Sequence, residues 1–91
     1  MKLIRTAKFT KQAARVIRNN SSLNVKLRNS LKTLSANPFD PTLFTHKLKG
    51  KLKDNYAIRL TYDLRIVFKF VREMNEEHIL LLAIGTHDEV Y

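Results

Sequence analysis

NYAIRLTYDLRIVFKFV, residues 55–71, alternates between apolar and polar twice over, and that alternation decides the fold. Side chains on a strand point to opposite faces in turn. In the first half Tyr56, Ile58, Leu60 and Tyr62 therefore share one face, and Ala57, Arg59 and Thr61 the other. In the second half Ile66, Phe68 and Phe70 oppose Val67, Lys69 and Val71. Asp63 sits between them in TYDLR, a turn. Downstream, REMNEEH (residues 72–78) reads as a hairpin turn. ILLLAIG (residues 79–85) is apolar on both faces, which suits a central strand covered on both sides.

Toward the start of the chain the period changes to that of a helix. KLIRT, Lys2 to Thr6, is a short alternating strand, and Thr6 can cap a helix beginning at the next residue. Phe9, Ala13, Val16 and Ile17 fall on one helical face, with Lys8, Lys11, Arg15 and Arg18 mostly elsewhere. NNSS breaks this helix and offers Ser21 or Ser22 as the next N-cap. Leu23, Leu27, Leu31 and Leu34 make a second stripe, which ANPFDP ends because Pro38 and Pro41 cannot continue a helix. The stripe is too short for a coiled coil and reads as core. The order β-α-α-β-β-β predicts an α+β domain spanning residues 1–91. A helical hairpin packs on one face of a mostly antiparallel, twisted sheet. The other face is expected to be free and to carry Arg59 and Lys69.

Seventeen Lys and Arg against eight Asp and Glu give a net charge of +9. The cations are spread along the chain, so the folded body must present them. Such an excess favours a polyanionic partner: nucleic acid, an anionic membrane surface or an acidic protein. There is no cysteine, which excludes disulfides and cysteine-based zinc sites and makes the cytoplasm the expected location. No signal-peptide pattern opens the chain, and ILLLAI is too short to span a bilayer. Two glycines cannot build a phosphate loop, and no histidine pair has zinc spacing, so neither cofactor nor metal is expected.

The groups able to move protons near neutral pH are His46, His78 and His87. His46 lies in the basic stretch HKLKGKLK with Lys47, Lys49, Lys51 and Lys53; His87 ends the last strand, and Tyr91 stands one helical turn beyond it. Taken singly, each has an ordinary reading. His78 beside Glu76 and Glu77 is a turn residue, Asp63 favours its turn, Arg65 pairs an acid, Tyr91 frays, and the lysines are solvated. Together they supply what metal-free RNA cleavage needs: a base for a 2′-hydroxyl, an acid for the leaving 5′-oxygen, and cations for the phosphate. A tyrosine adds a surface on which a base can stack.

At HKLKG, YDLRIVFKF and IGTHDEVY the chain resembles the RelE/ParE superfamily of bacterial toxins from type II toxin–antitoxin systems. Within that superfamily it is similar to the histidine-bearing, YafQ-like mRNA interferases. The resemblance covers nearly the whole chain. It implies a RelE-like fold, metal-free cleavage of mRNA in the ribosomal A site, and neutralisation by an acidic antitoxin. By position, His46 matches the first family histidine, Asp63 the aspartate, His87 the histidine of GTH, and Tyr91 the aromatic after it. Arg65 matches the arginine that part of the superfamily uses to hold phosphate. Where YafQ-like members carry another histidine in the third strand, this chain has Arg59, which puts a three-histidine scheme in doubt and points to phosphate binding. The resulting expectation has His46 as general base and His87 as general acid, or the reverse. Asp63 orients a histidine or serves as base, Arg59, Arg65 and the lysines hold phosphate, and Tyr91 stacks or donates a hydrogen bond. The free toxin is expected to be a monomer. The rival readings are a ParE-like inhibitor of gyrase and a nucleic-acid-binding module without chemistry.

Overall fold

The computed structural model describes residues 1–91, except for the side chain of Lys51. The chain runs β1 (Leu3–Arg5), α1 (Ala7–Asn19), α2 (Leu23–Ala36), β2 (His46–Lys47), β3 (Tyr56–Arg59), β4 (Leu64–Glu73), β5 (Glu76–Thr86) and α3 (His87–Val90). Short 3-10 turns at Pro41–Leu43 and Gly50–Leu52 flank β2. The sheet order is β1-β5-β4-β3-β2. β1 pairs with β5 in parallel, and every other pair is antiparallel. The predicted α+β plan therefore stands, with two additions: the two-residue β2 and the single helical turn α3. Among the described residues no helix is long and apolar enough to cross a membrane.

Thr6 starts α1 as expected. Its hydroxyl accepts from Phe9 N at 3.1 Å and donates to the Leu81 carbonyl at 2.8 Å, so one residue caps the helix and ties it to β5. Ser22 occupies the N-cap of α2, but its side chain makes no cap bond. Asn20 organises the turn instead, accepting from both Ser22 N and Ser22 Oγ. The leucine stripe is core: Leu27, Leu31 and Leu34 pack with Phe9, Ile58, Ile66, Phe68, Ile79, Leu81 and Ile84. Fully burying one such large side chain contributes roughly 1.5–3 kcal/mol.

Two expectations need correction. The turn after β4 is not the whole of REMNEEH. The strands run to Glu73 and resume at Glu76, leaving only Met74 (φ 51°) and Asn75 (φ 66°) as a two-residue turn. Positive φ at both central positions matches the twist of the flanking strands. His78 is consequently a strand residue, paired with Val71. Nor is the second face of the sheet wholly free. Ala57, Val67 and Ala83 are buried there beneath Leu48, Leu52, Leu82 and Val90. A bulge in β5 makes both faces fit: Val67 pairs with Ala83 but Phe68 with Leu81, so Leu82 is skipped. Leu81 and Ile84, three apart, can then both face the helices.

Candidate active site

The basic stretch after β2 folds because its leucines and lysines separate. Leu48 N donates to Asn55 O at 2.9 Å and Asn55 N to Leu52 O at 2.8 Å, closing a loop that Gly50 turns at φ 69°. Leu48 and Leu52 pack down on Ala57, Val67 and Ala83. Lys47, Lys49 and Lys53 are left exposed; the side chain of Lys51 lies outside the described residues.

α3 sits close to the sheet because position 85 is glycine. A Cβ there would lie 3.0 Å from Glu89 Oε1 and 3.3 Å from Val90 Cγ1. Thr86 N donates to Glu89 Oε1 at 2.8 Å, the carboxylate half of a capping box. That bond holds the Glu89 carboxyl below the usual range; the Thr86 hydroxyl and the Arg15 charge add to it against some desolvation. His87 and Tyr91 are then successive residues on one helical side. Their rings meet edge to face with centroids 4.4 Å apart.

Tyr91 also reaches His46: its hydroxyl stands 3.4 Å from Nε2, a long contact. The other ring nitrogen, Nδ1, lies 3.2 Å from the carbonyl oxygen of Phe44. A carbonyl only accepts, so in the neutral ring Nδ1 carries the proton and Nε2 presents a lone pair. The structure thus links His46, Tyr91 and His87 in one continuous line, with Leu48, Lys49 and Leu52 completing a cavity of 320 Å³ around His87 and Tyr91. Burial raises the Tyr91 phenol above its ordinary value, and the positive charge of Arg65 opposes that rise. The hydroxyl is therefore a neutral donor near pH 7. His87 Nδ1 lies 3.5 Å from Asp88 Oδ1, and both side chains are exposed.

Arg59 and Arg65 are directly opposed across β3 and β4. Like charges in that relation repel. Arg65 is fixed: its Nη1 donates to the carbonyls of Thr61, Tyr62 and Leu64 at 2.9, 3.0 and 3.1 Å. The Arg59 guanidinium lies over the Phe44 ring at 4.5 Å. Among the described residues no Lys or Arg lies within 4.0 Å of a carboxylate; the His87–Asp88 pair is the only contact of that kind. The cationic excess is thus not neutralised internally.

Asp63 is not brought to either imidazole. Its carboxylate accepts from the Thr61 hydroxyl at 2.9 Å and lines a separate cavity of 490 Å³ with Arg15, Thr86 and Glu89. Among the described residues no group of three or more His, Cys, Asp or Glu is placed to hold a metal ion. Sequence reasoning missed Phe44. It adopts a left-handed conformation (φ 52°, ψ 42°), which is uncommon for a bulky residue, and is 59% exposed. Nothing in TLFTH signals that conformation.

The family described as "Bacterial toxin of type II toxin-antitoxin system, YafQ" matches residues 1–91. The chain belongs to the YafQ toxin family. The toxin's fold recurs in solved structures. A YoeB/ParE toxin from Agrobacterium tumefaciens is 20% identical, with 96% of this chain and 99% of that one covered and a TM-score of 0.81. A metal-bound toxin from Helicobacter pylori is 27% identical over 100% of this chain and 99% of its own, with a TM-score of 0.81. YafQ in the DinJ–YafQ complex of E. coli is 16% identical over 99% and 97%, with a TM-score of 0.79. No curated protein matches the toxin in sequence.

Proposed function

We propose that this toxin is an endoribonuclease that cuts mRNA on the ribosome by metal-free acid–base chemistry. The line His46–Tyr91–His87 on a face of unpaired cations is the observation that carries the reading. His46 Nε2, left with its lone pair by the Phe44 carbonyl, takes the proton of the 2′-hydroxyl. The freed oxygen attacks phosphorus, the P–O5′ bond breaks, and His87 delivers a proton to the 5′-oxygen. The products are a 2′,3′-cyclic phosphate and a 5′-hydroxyl. Arg59 and Arg65, set opposite each other, stabilise the charge that builds on the phosphate. Tyr91 spaces the two imidazoles and offers its hydroxyl or ring to the substrate. The lysines at 47, 49, 51 and 53 guide the backbone. Asp63, held by Thr61, is given the turn and its local charge rather than a transferred proton.

The toxin is proposed to be a monomer when free, to act in the cytoplasm, and to be neutralised by an acidic antitoxin. The DinJ complex of its E. coli relative and the charge of +9 support that partner. Ribosomes programmed with a defined mRNA test the reading. Added toxin should produce new 5′ ends inside codons, and His46→Ala and His87→Ala should abolish them. Intact mRNA with the wild-type protein would remove the proposal, and a stalled gyrase in the same preparation would put the ParE-like reading in its place.

A further inference from the structure

A second groove, of 710 Å³, runs between α2 and the outer end of β3. It begins where the candidate site ends: Phe44, whose carbonyl holds His46, and Arg59, which stacks on its ring, both line it. Its other landmarks are Val25, Lys26 and Tyr62. Val25 is 60% and Tyr62 90% exposed, so an aliphatic side chain and an aromatic ring stand in water beside the exposed Phe44. No carboxylate lines the groove.

We propose that this groove is a platform for the single-stranded RNA that flanks the scissile phosphate, with Tyr62 and Phe44 stacking bases and Lys26 on the backbone. The inference rests on the ribonuclease reading and extends it by naming where the neighbouring nucleotides lie. Three observations favour RNA. The lining is cationic without acids, which attracts a polyanion. The rings are displayed rather than buried, and base stacking on exposed aromatics is the sequence-tolerant way to hold a single strand. The guanidinium of Arg59 over Phe44 already forms a flat stack onto which a base can be added. The Asn29 amide and the Ser30 hydroxyl supply neutral donors in the same lining. The groove is continuous with the histidine site through Phe44, so one strand can occupy both.

Fluorescence anisotropy with labelled RNAs of about three and about nine nucleotides tests it, on a scale where a stacked base is worth roughly fivefold or more in affinity. The longer RNA should bind the wild-type protein more tightly than the shorter. Tyr62→Ala should remove about fivefold to tenfold of the affinity for the longer RNA, leave the shorter unchanged, and be rescued by Tyr62→Phe. The Tyr62 effect should persist at high salt, whereas the loss in Lys26→Ala should fade with salt, because only the phosphate contact releases counterions. Tyr62 is too exposed for its removal to unfold the chain, and an unchanged melting curve will check that. Equal affinity for the two RNAs, or no effect of Tyr62→Ala, overturns the platform and leaves the ribonuclease site standing. Failure of both RNAs to bind also overturns the platform, whereas the ribonuclease reading stands or falls separately on the programmed ribosomes. An acidic peptide weakened by Tyr62→Ala while RNA is unaffected would assign the groove to a protein partner and also overturn the proposal.

Discussion

The two faces of the sheet are built differently. The face under α1 and α2 buries Phe9, Phe68, Leu34 and a ring of large aliphatic residues. The opposite face buries only Leu48, Ala57, Val67 and Ala83, and is covered by a loop and one helical turn. His46, His87 and Tyr91 all lie on the second. Stability is thus concentrated on one side and the candidate site on the other, supported by small residues that let short segments come close.

The sharpest way to break this contrast is to hollow out each face in turn. Phe68→Ala, on the thick face, should cost about 3–5 kcal/mol, a large share of the stability of a small domain, measured by urea unfolding. Val67→Ala, its neighbour on the thin face, should cost less than half of that. Equal losses would mean that the two faces share the burden. Next in size, His87→Ala should lower cleavage by about 10²–10⁴-fold while the unfolding midpoint stays put, since the exposed ring holds nothing up.

Gly85→Ala sharpens the comparison further. The added methyl would press on Glu89 and Val90, so α3 should lift and carry His87 and Tyr91 with it. Cleavage should fall about tenfold or more, as happens when catalytic groups are misplaced, with a smaller change in stability than Phe68→Ala. Wild-type activity in this variant would show that α3 need not lie flat.

A smaller effect is expected from acid. Glu89 has a depressed pKa in the folded state, so its cap on α3 is in place above the ordinary glutamate value of 4.5 and is lost as pH falls through the folded value. Amide exchange at Tyr91, whose N–H donates to the His87 carbonyl, should quicken there while core amides of β4 stay protected. The smallest is no effect at all: EDTA should leave cleavage unchanged, and a strict metal requirement would displace the two-histidine scheme.

Much of the thick face was legible because its elements are long enough to show a period. Helix stripes such as Leu27, Leu31 and Leu34, and the alternation around Phe68, are statements about burial, and burial is what those residues do. The thin face was harder. β2 has two residues, too few for any period. Arg72, Glu73, Glu76 and Glu77 look like a loop, yet an exposed hairpin end tolerates the same charges, and Arg72 lies opposite Glu77. Thr86 and Glu89 spell a capping box that marks α3, but one helical turn leaves little other trace. His46, His87 and Tyr91 were singled out by their chemistry and by a family likeness, and the structure places them side by side. The left-handed backbone at Phe44, beneath the Arg59 guanidinium, is encoded by no local pattern.

The interior position of β5 has a consequence in time. β1 and β4 have no common neighbour until Glu76–Thr86 has been made, and the hydroxyl of Thr6 has no Leu81 carbonyl to grip. A chain growing from β1 therefore lacks the strand that joins its two halves until β5 has been made. The sheet closes, and Tyr91 comes to stand between His46 and His87, only then.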